Sequence, residues 1–329
     1  MFPINRNRRL RSSKVIRDLV SENKINLTDL IVPLFIKDGK NIKEEIESMP
    51  SYYRMSLDVI EKEVKFLYEI GLKSVLLFVK VSENLKDNEG LEAINPNGLM
   101  QRAIKTIKNS VPEMVVITDV ALDPYSIYGH DGIVKNNKIL NDSSNNVLSK
   151  MALSHAESGA DIVAPSDMMD GRIKKIRETL ELNKFHETAI MSYSIKYASN
   201  FYGPFRDAVD SSKNLNDSTK ETYQMDFANI TEASLEINLD INEGADMVII
   251  KPGLPYLDIV AKIKNKFSIP IFSYHVSGEY SMIKSAALKN CIDEKSSVLE
   301  AMYCFKRAGC NAVLTYYTPE IIKWLDGNK

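Results

Sequence analysis

The chain has 329 residues, 44% of them hydrophobic and 26% charged, with a formal net charge of -2. That composition suits a globular chain with a sizeable core, as one large domain or two ordinary ones. It lacks the basic footprint of a nucleic-acid binder, and no apolar run is long enough to span a bilayer, so neither partner is expected. Cys291, Cys304 and Cys310 are odd in number and without metal-ligand spacing, so disulfides are not expected and a reducing cytoplasm is. Met1-Phe-Pro-Ile-Asn5 lacks the apolar core of a secretion signal.

The N-terminus is a basic arm (Arg6, Arg8, Arg9, Arg11), read either as a solvated tail or as an arm that docks on another subunit. Residues 1–25 are assigned to it and 26–329 to a barrel. Apolar runs at 30–36, 74–79, 115–120, 161–166, 189–194, 246–250, 269–275 and 311–316 read as strands. Helical periodicity falls at 58–70, 98–109, 146–158, 168–182, 230–242, 256–266, 279–288, 296–308 and 319–325. Gly159, Gly244 and Gly309 each follow a helix and precede a strand, where glycine suits the left-handed cap. Strands covered on both faces read as continuous apolar runs, as these do. Eight strand–helix units imply an α/β fold, a (β/α)8 TIM barrel behind an extended arm. The alternative is a doubly wound open sheet, but no G-x-G-x-x-G follows the first strand.

In a barrel the chemistry lies at the carboxyl ends of the strands, here Asp119, Ser166, Lys196, Lys251, Ser277 and Tyr316. Two of these are lysines closing apolar runs, Ala189 to Lys196 and Asp246 to Lys251. Desolvation favours the neutral amine, which is a nucleophile toward ketones and aldehydes. The plain alternative is a lysine that snorkels to the surface. Two such lysines suggest an enzyme holding two carbonyl substrates. A single Schiff base at Lys251, as in a class I aldolase, or a non-catalytic barrel that binds a small acid are the competing readings. Hydroxyls at Ser277 and Tyr316 can bind a carboxylate, and Arg206 and Lys220, in the long polar segment 197–226, another. That segment is expected to form a lid, or else an ordinary surface loop.

Four stretches carry a resemblance: Met191-Ser-Tyr-Ser-Ile-Lys-Tyr-Ala-Ser199, Phe201-Tyr-Gly-Pro-Phe-Arg206, Lys251-Pro-Gly-Leu-Pro-Tyr-Leu-Asp258 and Tyr274-His-Val-Ser-Gly-Glu-Tyr280. The chain resembles the porphobilinogen synthase (delta-aminolevulinic acid dehydratase) family along nearly its whole length. The resemblance implies condensation of two 5-aminolevulinate molecules to porphobilinogen, with loss of two waters, in tetrapyrrole (heme) synthesis. It implies a Schiff base at Lys251 with the substrate that becomes the propionate side, and one at Lys196 on the acetate side. Ser277 and Tyr316 would bind the first carboxylate; Arg206, Lys220 and Gln224 would bind the second. Asp119 and Ser166 would line the site, and Phe205 and Tyr274 would form apolar walls. Lys220 stands where many members have arginine, which removes a bidentate fork.

Zinc-dependent relatives carry three cysteines where this chain has Ala121, Asp123 and Asp131, so no catalytic zinc is expected. Asp123 and Asp131 are read as ligands of a hard cation, magnesium or a monovalent ion, or as hydrogen-bond partners of substrate. The resemblance also implies an allosteric magnesium at Glu236, with Asp167 and Arg172 nearby. Thr231 and Leu235 replace arginines common in relatives, which weakens that implication. His130 and His275 fall near the mouth and read more simply as hydrogen-bonded structural residues. The resemblance implies that the arm embraces a neighbouring barrel in a homo-oligomer, an octamer first and a hexamer or dimer as alternatives.

Overall fold

The computed structural model describes residues 1–211 and 219–326. Its strands are β1 (Leu30–Lys37), β2 (Lys43–Ile46), β3 (Met49–Met55), β4 (Ser74–Lys80), β5 (Val115–Val120), β6 (Val134–Lys135), β7 (Lys138–Ile139), β8 (Ile162–Pro165), β9 (Ala189–Lys196), β10 (Met247–Lys251), β11 (Ile271–His275) and β12 (Ala312–Thr315). Its α-helices are α1 (Lys14–Leu19), α2 (Leu57–Glu69), α3 (Leu99–Ser110), α4 (Asn141–Glu157), α5 (Arg172–Leu182), α6 (Gly203–Val209), α7 (Glu232–Glu243), α8 (Leu257–Lys266), α9 (Ser277–Leu288), α10 (Glu294–Ala308) and α11 (Thr318–Asp326).

Eight of these strands pair in the order β1, β4, β5, β8, β9, β10, β11, β12, all parallel. The sheet closes on itself, with Leu30 opposite Val313 and Ile31 opposite Leu314. This is the (β/α)8 barrel expected from the eight apolar runs. Each strand is buried inside and out; Val248, Ile249 and Ile250 of β10 are fully covered. Burying each such side chain contributes roughly 1.5–3 kcal/mol. The glycines after α4, α7 and α10 have φ of +104°, +105° and +113°, the left-handed caps expected of them.

The strand–helix alternation is less strict than the sequence suggests. Between β1 and α2 the hairpin β2–β3 adds to the barrel wall, with Phe35 beside Arg54 and Ile36 beside Met55. Its first strand, Lys43-Glu-Glu-Ile46, shows no apolar run, so periodicity does not reveal it. Two helix starts also differ. Helix α4 begins at Asn141 rather than 146, where Asn141 and Asn145 both donate to the Asp170 carbonyl. Helix α5 begins at Arg172 rather than 168, because Met168 has a φ of +66° and so cannot sit in a right-handed helix.

Residues 1–25 contribute no buried side chain, and Met1, Phe2, Ile4, Val15 and Leu19 all lie exposed. Among the described residues, no helix is long and apolar enough to cross a membrane.

Candidate active site

Lys196 ends β9 and Lys251 ends β10, and the two are register partners on neighbouring parallel strands. Such strands lie about 4.8 Å apart, so the two side chains leave the barrel wall at one level. Both lysines are buried, yet their surroundings differ in kind.

The Lys251 ammonium nitrogen sits in a box of aromatic rings. It lies 4.7 Å from the Phe205 ring centre, 4.8 Å from Tyr202, 4.9 Å from Tyr274 and 5.4 Å from Tyr193. Among the described residues it has no ion pair within bonding distance. Burial, and then the positive charge of Lys196, push its pKa down to about 7, against the pull of Asp119, Asp123 and Asp131. A neutral amine is therefore available near neutral pH.

Lys196 is held differently. Its amine donates to the Ser166 carbonyl and, at 3.2 Å, to Asp131 Oδ2. The other oxygen of Asp131 accepts from Lys220 at 2.6 Å, and Lys220 also reaches Asp123 at 3.2 Å. Burial raises the Asp131 carboxyl, but Lys196 and Lys220 outweigh it and hold it down at about 2. Burial likewise lowers the Lys220 amine, and Asp123 and Asp131 more than offset this, so it stays charged. Among the described residues, Asp119 has no cation bonded to it, and its Oδ1 has no hydrogen-bond partner. Burial and the Asp123 charge raise it to about 7, against the Ser166 hydroxyl and both catalytic-face lysines. The site thus holds two groups that change charge near neutrality, Lys251 and Asp119, beside a fixed ionic cluster.

Arg206, Lys220 and Gln224 come together as expected, lining one cavity of about 190 Å³ with Ser199 and Asn200. Gln224 Oε1 is buried without a partner. The stretch bearing Lys220 and Gln224 is tied down: Met225 N–H donates to the Lys196 carbonyl at 3.0 Å, and Ala198 N–H to the Met225 carbonyl at 2.8 Å. Residues 212–218 of the expected lid lie outside the described residues. Tyr316 and Tyr274 share a hydroxyl hydrogen bond of 3.0 Å. The Ser277 hydroxyl accepts from Phe205 N–H at 2.9 Å and faces the Phe201 carbonyl at 3.4 Å, a weak contact for its proton.

The expected cation at Asp123 and Asp131 does not fit this donor set. Both carboxylates are already neutralised by ammonium groups, and Ala121 offers no ligand. Among the described residues, no group of three or more His, Cys, Asp or Glu side chains is placed to hold a metal. Glu236 stands apart, on a polar cavity of about 340 Å³ lined also by Asp170, Glu221 and Glu232. Burial pushes its carboxyl up to about 7; Arg172 opposes this, and Asp240, Asp170 and Glu232 add to it. Asp167 and Arg172 lie in a buried network with Asp240 and Ser192. His130 pairs with Tyr223 at 3.0 Å and His275 with Thr315 at 3.1 Å, the structural roles expected of them.

Sequence reasoning leaves two residues of the site unmarked. Tyr193 is hidden as one more apolar strand residue, and Glu279, buried at 3% exposure, looks like an ordinary helix charge. The acid in a Ser-Gly-Glu helix start was the available signal for Glu279.

A barrel mouth with one unpaired and one ion-paired buried lysine is the site of an enzyme built for amine chemistry on carbonyl substrates. Residues 4–324 match the model of the family described as delta-aminolevulinic acid dehydratase. The curated delta-aminolevulinic acid dehydratase of Methanothermus sociabilis is 51% identical over 98% of this chain and 99% of its own length. That of Bacillus subtilis is 46% identical over 98% of each. The crystal structure of the Toxoplasma gondii enzyme (porphobilinogen synthase), in complex with the reaction product porphobilinogen, superimposes with a TM-score of 0.97 at 48% identity, covering 100% of this chain and 94% of that one. The chain belongs to the delta-aminolevulinic acid dehydratase family.

Proposed function

We propose that the chain carries out its reaction through two lysines of unequal character. The reaction is the lyase step that joins two 5-aminolevulinate molecules into porphobilinogen, with loss of two waters, in tetrapyrrole biosynthesis. Lys251, about half of it neutral at pH 7, attacks the ketone of the propionate-side substrate, and one water leaves as the imine forms. Lys196 forms the second imine on the acetate side once its proton has been passed on, and the second water leaves there. A protonated imine is an electron sink. One substrate carbon next to its imine loses a proton and bonds to the other imine carbon. The lysine on that carbon is eliminated as its free amine as a second proton leaves the new bond. A substrate amine then displaces the other lysine and closes the ring, and loss of a last proton gives the pyrrole with both lysines free. Asp119, titrating near neutrality between the two amines, is the group suited to take and return these protons.

Ser277 and Tyr316 serve the propionate-side carboxylate; the Ser277 proton is so weakly held by Phe201 that a carboxylate can take it. Arg206, Lys220 and Gln224 serve the acetate-side carboxylate. Because Lys220 is engaged with Asp123 and Asp131, Arg206 carries most of that recognition. Ser166 orients Lys196 through its carbonyl, and Phe205 and Tyr274 wall the site. Asp123 and Asp131 act as counter-charges, and no step runs through zinc or a monovalent cation. At the Glu236 cavity, lined also by Asp170, Glu221 and Glu232, magnesium would be held by one or two carboxylates and would keep several waters. There it would supply charge neutralisation remote from the chemistry. Residues 1–25 form an arm on a cytoplasmic homo-oligomer, an octamer or else a hexamer or dimer, and 26–329 form the catalytic barrel.

The observation that carries this reading is the pair of register-matched lysines. The test is borohydride trapping with 5-aminolevulinate, read by intact mass and peptide mapping. Reduced adducts at both Lys251 and Lys196 support it; no adduct in a folded, product-forming enzyme overturns it. The Asp131 ion pair favours one variant of the same reaction, in which Lys251 alone forms an imine and Lys196 stays an ammonium acid. Rapid-quench trapping that finds adduct at Lys251 only, at every time point, selects it.

A further inference from the structure

Glu279 is a buried carboxylate with no cation beside it among the described residues. Among the described residues its hydrogen-bond partners are three backbone N–H groups from two segments. Oε1 accepts from Leu254 at 2.6 Å; Oε2 accepts from Val276 at 2.8 Å and Gly253 at 3.2 Å. A carboxylate receiving three donors at the start of α9 is favoured as the anion, by those bonds and by the helix dipole. Burial works against this and raises its pKa to about 7. Gly253 and Leu254 follow directly on Lys251-Pro252. Val276 lies between β11 and α9. The carboxylate therefore ties the chain just after Lys251 to the end of the next strand.

Gly253 shows how tightly. A Cβ added there would stand 2.7 Å from the Tyr274 carbonyl and 2.7 Å from Phe305 Cζ. The loop is pressed flat on the end of β11, the strand that also supplies the Tyr274 ring to the box. The same turn of α9 reaches the other side of the box, because Ser277 accepts from Phe205 N–H. Tyr202 and Phe205 lie on that 200–206 segment. One helical turn, Ser277-Gly278-Glu279, thus contacts the segments that present the lysine and those that present three of its four rings.

We infer that Glu279 is a positioning residue: it sets the register of the Lys251 amine against the aromatic rings and so keeps that amine in an apolar place. The inference rests on the reading of Lys251 as the imine-forming amine. Groups facing that amine are Asp119 from β5, Asp123 and Asp131 from the loop after it, Lys196 from β9, and Tyr193, Tyr202 and Tyr274. Freed of its clamp, Lys251 would swing toward the carboxylates and become a more ordinary lysine.

The experiment compares wild type with E279Q and G253A. E279Q is isosteric but turns an N–H₂ toward N–H donors; G253A lifts the same loop by crowding Tyr274. Two quantities are read: kcat, and the pH at which borohydride trapping by 5-aminolevulinate on Lys251 is half-maximal. A displacement of about 1 Å costs on the order of a hundredfold in rate. Each variant is expected to lose about that in kcat, and its trapping midpoint to move up by about one pH unit or more. A merely structural role would lower Tm and leave the midpoint in place. Variants that trap at the wild-type midpoint with near-normal kcat overturn the inference, and G253A decides the matter if E279Q does not fold. Failure of the wild type itself to trap at Lys251 would instead remove the reading beneath it.

Discussion

The two lysines differ by one neighbour, and that difference is testable residue by residue. Lys251 has rings around it and Lys196 has Asp131. Replacing either by methionine is expected to abolish porphobilinogen formation in a discontinuous product assay. In K196M the neighbouring cation that helps depress Lys251 is gone, so its trapping midpoint moves upward from about 7. In the wild type, kcat/KM should rise with pH through about 7, as Lys251 and Asp119 both lose their protons. Lys220→Ala leaves two buried carboxylates short of a partner. Breaking a buried pair in this way costs about 3–5 kcal/mol, readable in urea unfolding, and KM should rise in parallel. The lysines were legible in the sequence because an amine at the end of an apolar run is costly and conspicuous. The ionic cluster was not: Lys220 and Asp131 lie 89 residues apart, and no local pattern says that they meet.

At the scale of elements, the fold is held at its mouth by contacts between pieces that periodicity overlooks. Arg54 of β3 donates to the Ala208 carbonyl at 2.6 Å and to the Asp207 carbonyl, both at the end of α6, and to Glu44 at 2.6 Å. A guanidinium on terminal carbonyls satisfies the open end of that short helix. Arg54→Ala should let α6 drift, and with it Phe205 and Arg206. A raised KM for 5-aminolevulinate in steady-state kinetics is the expected result. Buried histidines fix other elements. His275 of β11 bonds Thr315 of β12, and burial alone lowers its pKa to about 3. The unfolded chain takes up that proton near pH 6.5, the folded one only near 3. Stability from this residue is therefore present above about pH 6.5 and is lost progressively as pH falls toward 3. Asp119, Asp167, Glu236 and Glu279, all raised, act in the opposite sense below pH 7. The comparison that isolates the histidine is wild type against H275Q by chemical unfolding: the gap between them should narrow as pH drops from 6.5 to 4. The eight barrel strands could be read ahead of the structure because they are apolar throughout. The hairpin β2–β3 could not, because its first strand carries charges in place of an apolar run and Arg54 finds part of its bonding in α6, far along the chain.

For the whole molecule, the exposed arm is the feature most in need of a partner. Phe2 and Ile4 are 73% and 75% exposed, and Leu19 is 81% exposed, among arginines and lysines. A chain that kept such residues in water would gain by covering them. Removing residues 1–25 is expected to leave a folded barrel with a smaller sedimenting species than the full chain. Sedimentation velocity of both forms at matched concentration checks this; an unchanged assembly would assign the arm no role in it. Magnesium belongs to the same scale, because Glu236 lies on a cavity separate from the lysines. Added magnesium should stimulate the wild type more than Glu236→Ala, and a zinc-specific chelator should leave both unaffected.

The seam between β1 and β12 has a consequence for how the chain is made. Leu30 and Val313 sit side by side in the finished barrel, yet nearly the entire polypeptide separates them. As the chain leaves the ribosome, seven strands can pair in order while the β11 edge, and the part of the β1 edge around Leu30 and Ile31 that β3 does not cover, stay unsealed. The β1 edge is apolar from Leu30 to Ile36, the kind of edge that recruits other chains. The nascent protein therefore carries a sticky, open sheet until β12 emerges. Chaperone demand, and inclusion bodies from C-terminally truncated forms, should follow from that late closure rather than from any weakness in the completed fold.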